Sequence, residues 1–386
     1  MKFLCKTSQL QQALNLVSRA ISHQQALPIL GNVLIHVEGK RCTVSATDLE
    51  LSIVTSFEAK IENEGKITVP AKAILNFAQY NSDEEVLLET HEGTQLRLTS
   101  AHAKTVISGE AASEYPTISR IEKETSFTLE AQPLLEALHM VTFASAKTTL
   151  RPVLSGVYIH TDKDNLILVA TDSYRLSEYT LPINGDTADI SCIIPTKVLE
   201  ELKNILGSYK NEKKSKDSDD VALETDVATI TIVLSHQQIE VTVGYTQLLS
   251  RLIDGKFPNY KQIIPTDKKT KIAINTKELA TITKRMHYFA KETNNNLTFT
   301  AHKSDNTVHI TTPHTQAGRD EATLDVELSG EDNKIAISSS YLLDFLGHIN
   351  DDVVEIHLTD SMHPAVFHLP SNNNLLHLIM PLRIQE

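Results

Sequence analysis

The sequence predicts an α+β fold made of three copies of one layered domain, each copy two amphipathic helices laid on antiparallel strands. Three observations predict it. Displacing the chain by 124 residues lays its N-terminal region on the middle one without a gap: Phe3 on Phe127, Leu10 on Leu134, Val17 on Val141, Pro28 on Pro152, His36 on His160, and Ala46-Thr47-Asp48 on Ala170-Thr171-Asp172. A helix-like block recurs in all three thirds, as VPAKAILNFAQY from Val69, IPTKVLEELKNIL from Ile194 and ISSSYLLDFLGHI from Ile337. Between these blocks apolar and polar residues alternate, with turn signals at the breaks. The repeat is the size of a whole domain, well above the roughly 20 to 50 residues of a solenoid unit. The copies are placed at 1–124, 125–265 and 266–386.

The first helix comes from QLQQALNLVSRAI, which sets Leu10, Ala13, Leu14, Val17 and Ile21 at helical spacing, with Thr7 or Ser8 as its cap. Its polar face carries Gln9, Gln12, Asn15 and Arg19 and no carboxylate. NVLIHVEG and KRCTVSATD then read as two strands around a turn at Glu38-Gly39, and QLRLTSAHAKTVISGE as a further hairpin. A charged linker, Arg120–Thr125, leads to the second copy. Its first helix, over 132–143, has Pro133 in the first turn and Glu136 and His139 on the polar face. GVYIHTDKDNLILVATD repeats the strand pair, with the turn at Asp162–Asn165. KNEKKSKDSDD, from Lys210, is the most polar run and reads as an exposed loop, followed by the hairpin VATITIVLSHQQIEVTVG. KFPNYKQI at Lys256 repeats the proline after an aromatic in EYPTI at Glu114. After a second charged linker, Asp267–Thr270, IAINTKELATITKRM sets Leu279 on Leu134. This third helix, near 276–289, carries Lys277, Glu278, Lys284 and Arg285, and NTVHITT supplies another strand.

A hydrophobic fraction of 41% allows each third a modest core. No stretch approaches the roughly 18 apolar residues of a membrane span. Lys2 and Phe3 begin the first amphipathic pattern with no signal-peptide features, so the expectation is a cytoplasmic protein. Cys5, Cys42 and Cys192 stand singly and make neither a disulfide framework nor a zinc site. The net charge of −13 argues against nucleic acid, since duplex binding draws on Lys and Arg, unless one basic face is segregated from an acidic body.

Chemistry is not concentrated anywhere. The 16 histidines scatter, and His36 and His160 are repeat equivalents that fold symmetry explains. There is no HExxH, P-loop or GxGxxG, and no His/Cys/Asp group with metal spacing. Asp48 and Asp172 close strands in Ala-Thr-Asp and read as Asx-type turns. The expectation is a scaffold or ring that is not an enzyme and takes no cofactor or metal.

LPILGN at 27–32, TDLE at 47–50, ATDSYRL at 170–176, DGKFPNY at 254–260 and MPLR at 380–383 resemble, in this order along the full length, the bacterial DNA polymerase III beta subunit family, the sliding clamps. The resemblance implies a head-to-tail homodimer closed as a ring, with sheets outside and helices lining a hole around double-stranded DNA held without regard to sequence. It implies partners that bind through short peptides: the polymerase III alpha subunit, clamp-loader subunits, other polymerases and repair proteins. No membrane is involved. The alternative is a protein-interaction scaffold that does not encircle DNA, which the acidic charge favours.

The resemblance also implies site residues. Arg19, Lys72, Lys197, Lys203, Lys284 and Arg285 are the candidates to face phosphates, positioning DNA without reading it. The family's loop before LPILGN usually offers a basic residue; here it is His23-Gln24-Gln25, leaving Gln24 to hydrogen-bond a phosphate. For the peptide groove, Leu154, Leu176, Ile263, Leu378 and Met380 would supply apolar walls, with Thr171, Ser173, Tyr174, Pro258, Pro381 and Leu382 beside them. Arg175 and Arg383 would take peptide carbonyls or carboxylates. Ser173-Tyr174 stand where the family often has Gly-His, which puts Tyr174 in a position to narrow or gate the groove. Ring closure needs two different surfaces. On the first domain the candidate is the strand Lys104, Thr105, Val106, Ile107 and Ser108; on the third, the Lys303–Thr311 hairpin and the helix around Tyr288 and Phe289.

Overall fold

The computed structural model describes residues 1–22, 27–91, 94–118, 121–122, 124–148, 150–183, 189–212 and 229–384. The first copy runs β1 (Lys2–Lys6), α1 (Thr7–Val17), β2 (Asn32–Glu38), β3 (Arg41–Thr47), β4 (Leu51–Glu58), β5 (Lys60–Asn63), β6 (Gly65–Pro70), α2 (Ala71–Tyr80), β7 (Glu85–His91), β8 (Gln95–Thr99) and β9 (Lys104–Ser108). The second runs β10 (Thr125–Glu130), α3 (Ala131–Val141), β11 (Gly156–Asp162), β12 (Asn165–Thr171), β13 (Arg175–Pro182), β14 (Ser191–Pro195), α4 (Thr196–Glu212), β15 (Thr229–Leu234), β16 (Gln238–Val243) and β17 (Thr246–Arg251). The third runs β18 (Thr270–Asn275), α5 (Thr276–Ala290), β19 (Asn296–His302), β20 (Thr307–Thr311), β21 (Glu321–Asp325), β22 (Glu327–Gly330), β23 (Asn333–Ser338), α6 (Ser339–Leu346), β24 (Val353–Leu358), β25 (Ala365–Leu369) and β26 (Asn372–Ile379). Among the described residues each copy holds two α-helices and antiparallel strands, in the order the alternation predicts.

Every copy divides its strands between two sheets, and neighbouring copies fuse theirs. The eight-stranded sheet has the order β10-β15-β16-β17-β4-β3-β2-β6, so β17 of the second copy pairs with β4 of the first. The nine-stranded sheet, β14-β11-β12-β13-β26-β25-β24-β18-β22, joins the third copy to the second through β26 on β13. These are repeat-equivalent joins: in each, the strand that ends one copy pairs with the fourth strand of the preceding one. The remaining sheets are β5-β1-β7-β8-β9 and β21-β20-β19-β23. The chain therefore packs as two compact units, Met1–Gln132 with Glu200–Leu252 and Pro133–Leu199 with Ile253–Glu386. The division cuts the middle copy because each of its sheets belongs to a different neighbour.

The helices bury the stripe their spacing predicts. In α1, Leu10, Ala13, Leu14 and Val17 are buried; in α3, Leu134, Ala137, Leu138 and Val141; in α5, Leu279 and Met286. Two local expectations are corrected. Neither Thr7 nor Ser8 caps α1: the helix starts at Thr7, whose amide donates to the Glu84 carbonyl at 2.9 Å, so a neighbouring backbone replaces the cap. Ile21 lies beyond the α-helix, which ends at Val17 and tightens into a 3-10 turn over Ser18–Ala20. Of the polar run from Lys210, the first three residues continue α4, and 213–220 lie outside the described residues, as do parts of the Arg120–Thr125 linker.

Candidate functional site

The turn between β12 and β13 is built by the two side chains that precede it. Thr171 Oγ1 donates to the Arg175 carbonyl at 2.6 Å and accepts from the Ser173 amide at 3.1 Å, while Asp172 Oδ1 accepts from the amides of Tyr174 and Arg175 at 2.9 and 3.0 Å. This is the Asx-type turn that Ala-Thr-Asp predicts. The first copy repeats it: Thr47 Oγ1 bonds Leu51 O and Leu49 N, and Asp48 Oδ1 takes the amides of Glu50 and Leu51. Both turns hold their third residue in the left-handed region, Leu49 at φ 77° and Ser173 at φ 81°, where glycine is the unstrained choice.

This turn delivers Arg175 inward, and here the structure corrects an expectation. Arg175 is only 3% exposed. Its Nε donates to Asp172 Oδ2 at 3.1 Å, Nη1 to Asp344 Oδ2 at 2.7 Å, and Nη2 to the Phe143 carbonyl at 2.8 Å. The guanidinium also lies over the Tyr341 ring, 4.8 Å from its centroid. All three nitrogens are committed inside the protein, so Arg175 is a structural anchor and not a group held out for a ligand. Beside it, His377 is fully buried, accepts or donates a 2.7 Å bond with Ser177 Oγ, and stacks on Phe345; burial pushes its imidazole well below the ordinary range.

Four of the expected groove residues meet in one apolar cluster. Leu154, Leu176 and Leu378 are buried there with Phe257, Tyr260 and Val366, and Met380 packs against them. The three leucines form a floor beneath the surface. Of the other expected groove residues, Tyr174, Pro258, Ile263, Pro381, Leu382 and Arg383 are exposed or half-buried, as is Met380, while Thr171 is buried in its turn. Tyr174 is 59% exposed and stacks on Tyr341, with ring centroids 6.3 Å apart and planes 17° from parallel. The Tyr174 carbonyl accepts the Met380 amide at 2.8 Å, and Leu382 N donates to Ala336 O at 2.7 Å, so the C-terminal segment is tied down on both sides of Pro381.

The basic candidates lie on helices or the adjoining turn, and Arg19, Lys203 and Arg285 are among those already paired. Arg19 meets Glu201 at 3.3 Å, Lys203 meets Glu200 at 2.9 Å, and Arg285 holds Asp320 with two bonds of 2.8 and 3.0 Å. The carboxylate-free face read along α1 is thus supplied with a carboxylate from α4. Each pair has a partly covered partner and a more exposed one, and ion pairs at a surface contribute about 1 kcal/mol or less. Lys72, Lys197 and Lys284 are exposed on α2, α4 and α5. Gln24 lies outside the described residues.

Among the described residues the four sheets are open, and β9 and β21 are two of their edge strands. β9 is the edge of the five-stranded sheet, and its Val106 is 50% exposed. In the four-stranded sheet the edge beside the third copy's first hairpin is β21, because β20 pairs on both sides, with β19 and with β21. The Lys303–Thr311 hairpin is therefore not an available edge, a correction to the sequence expectation. Tyr288 is exposed on α5 and packs edge-on against Phe289, 5.3 Å between centroids.

Three family models match the chain consecutively: the DNA polymerase III beta subunit N-terminal domain over residues 1–119, the central domain over 128–259 and the C-terminal domain over 261–383. The chain belongs to the DNA polymerase III beta subunit family. Curated relatives include the beta sliding clamps of Synechocystis sp., 29% identical, and of Vibrio cholerae, 26% identical, each aligned over 100% of both chains. Among solved structures, a DNA polymerase sliding clamp from Pseudomonas aeruginosa matches with a TM-score of 0.90 at 26% identity, and a DNA polymerase III beta subunit from Thermotoga maritima with 0.89 at 26%, both covering 100% of each chain. As a member of this family the chain is a DNA-clamp processivity factor of replication and not an enzyme. Among the described residues no helix is long and apolar enough to cross a membrane.

Sequence reasoning missed Phe143, Tyr341 and Asp344, which hold Arg175, because nothing in their local pattern points across the fold. Phe257 and Tyr260 were within reach: they are the aromatics that flank Pro258 in DGKFPNY, and burying both leaves Pro258 exposed.

Proposed function

We propose that two copies of this chain close head to tail into a ring around duplex DNA, and that partner proteins dock short peptides on the Tyr174–Met380 surface. The reading rests above all on the rule that joins the copies. Inside the chain the strand that ends a copy pairs with the fourth strand of the preceding copy, as β17 on β4 and β26 on β13. By the same rule β9 needs the equivalent of β4, and that strand is β21, which lacks a partner on its outer side just as β9 does. A second chain supplies each with the other, and pairing removes two edges that otherwise invite aggregation. Tyr288 and Phe289 of α5 would flank this join.

The domains of the ring are taken as 1–124, 125–265 and 266–386, and the protein acts in the cytoplasm. Arg19, Lys72, Lys197, Lys203, Lys284 and Arg285 face the phosphates, and the carboxylates beside Arg19, Lys203 and Arg285 keep those contacts weak, which suits a ring that must slide. Peptides from the polymerase III alpha subunit, the clamp loader, other polymerases and repair proteins enter between Ile263, Met380 and Pro381, with Arg383 at the exposed end. Sedimentation equilibrium tests closure: a dimer of twice 42.9 kDa is expected, falling to a monomer in Val106→Glu, which places a charge on the paired edge. A wild-type monomer at micromolar concentration defeats the reading.

A further inference from the structure

The second helix of each copy starts at an equivalent place: α2 at Ala71, α4 at Thr196 and α6 at Ser339. Ala73, Asn76 and Tyr80 of α2 therefore hold the positions of Val198, Glu201 and Ile205 in α4, and of Tyr341, Asp344 and His348 in α6. Residues spaced in this way share one helix face. In α4 Val198 and Ile205 are buried, at 3% and 0%, and Glu201 meets Arg19 of the preceding copy at 3.3 Å. In α6 His348 stacks on Phe143 of the preceding copy, with ring centroids 4.1 Å apart and planes 18° from parallel. In α2 the same face is bare: Ala73, Asn76 and Tyr80 are all exposed, Tyr80 by 76%. The receiving residues are equivalent too. Arg19 and Phe143 lie nine positions after Leu10 and Leu134, and the same count from Leu279 reaches Tyr288 of α5. α5 continues as α-helix through this position, where α1 and α3 tighten into 3-10 turns, and Tyr288 stays 68% exposed. Among the described residues Tyr80 and Tyr288 are the most exposed of the tyrosines and phenylalanines.

We propose that Tyr80 stacks on Tyr288 of the partner subunit, so that an aromatic pair fastens each joint of the ring. The inference rests on head-to-tail closure through β9 and β21 and adds a helix contact to that strand join. Both joins inside the chain combine the two. β17 lies on β4 where Glu201 meets Arg19, and β26 lies on β13 where Asp344 bonds Arg175 and His348 stacks on Phe143. The joint between subunits keeps the stacked form of the second of these, with Tyr80 in the place of His348 and Tyr288 of the partner subunit in the place of Phe143. Tyrosine suits both positions: its ring pairs with another while its hydroxyl stays wet. The pair carries no charge, so salt screens it far less than the ion pair between Arg19 and Glu201.

The test uses the full chain and photo-oxidation by a ruthenium tris-bipyridine complex with persulfate. This joins neighbouring tyrosine rings by a carbon–carbon bond, persulfate taking the two electrons and the buffer the two protons. The wild type is expected to give a covalent dimer whose linked peptides hold Tyr80 and Tyr288. Tyr80→Phe and Tyr288→Phe keep the stack and each lose this link. Mixed and re-equilibrated, the two variants regain it, because one joint of a mixed dimer then holds both tyrosines. Tyr174 and Tyr341, stacked within each chain, are the internal control. A dimer has two joints, so Tyr80→Ala removes two pairs and should raise the dissociation constant by about thirtyfold. Tyr288→Ala should match it, and the double variant should fall far short of the product of the two. A wild-type dimer without the Tyr80–Tyr288 link, or alanine effects that multiply, overturns the pair and leaves the strand join standing. A wild-type monomer defeats the ring and the pair together. Loss of DNA retention in Tyr80→Ala with an unchanged dimer would assign the ring to the DNA face and also overturn the proposal.

Discussion

Arg175→Met removes the guanidinium and keeps its aliphatic stem, which asks whether the residue holds the fold or waits for a ligand. The three bonds it makes differ in value. Asp344 is 46% exposed, so its arm is worth about 1 kcal/mol at most. Asp172 is mostly buried and keeps two backbone amides when Nε is lost, while the Phe143 carbonyl loses its guanidinium donor at a cost of about 1–3 kcal/mol. Together with a carboxylate left buried beside a vacant pocket, the loss is about 3–5 kcal/mol. In a chain of several packed units a single unfolding free energy is ill-defined, and the sequence has no tryptophan. Hydrogen exchange at β13 and β26 is therefore the assay, since it reads opening of that segment alone. Protection of residues 175–179 and 375–379 is expected to fall by roughly a hundredfold or more, with Asp344→Asn costing less than tenfold. If Arg175→Met leaves protection intact while binding of a clamp-motif peptide collapses, the guanidinium serves the ligand and the structural assignment is wrong.

Three further outcomes follow from the same geometry. Tyr174→Ala removes the stack on Tyr341, worth about 1 kcal/mol, and should tighten a clamp-motif peptide by about fivefold, measured by fluorescence anisotropy; weaker binding would show that Tyr174 is a contact and not a lid. Leu49→Gly relieves a left-handed backbone at an exposed side chain and should raise protection of β3 and β4 by about 0.5–1 kcal/mol; a loss would mean that Leu49 packs on something. His357 titrates at about 4 in the folded chain, lowered chiefly by burial, against about 6.5 unfolded. Its contribution is complete above pH 6.5 and is lost as pH falls from 6.5 towards 4, up to about 3 kcal/mol. His357→Phe should flatten the part of the pH dependence of urea midpoints that belongs to this group, and an unchanged slope contradicts the assignment.

What the sequence revealed and what it hid have the same cause. Copies shifted by 124 residues carry identical local instructions, so Thr47-Asp48 and Thr171-Asp172 make the same turn and could be read from one another. Helix stripes and strand alternation depend on near neighbours and were legible too. Arg175 was misread because its partners lie 32 and 169 positions away, at Phe143 and Asp344. The edge on the third copy was misplaced for a related reason: alternation marks a strand but not which side of it is paired, and only the sheet order identifies β21 as open. Likewise, a carboxylate-free face on α1 says nothing of Glu201, which reaches Arg19 from another helix.

The central claim is topological, and retention on DNA tests it most directly. The protein is loaded by its clamp loader onto a nicked circular plasmid, the complex is isolated by gel filtration, and the plasmid is then cut once in moderate salt. The account predicts that the protein stays on the circle and leaves only after cutting, by sliding off the ends. Retention unchanged by cutting, or no complex surviving isolation despite an active loader, would contradict a closed ring and favour a scaffold that does not encircle DNA.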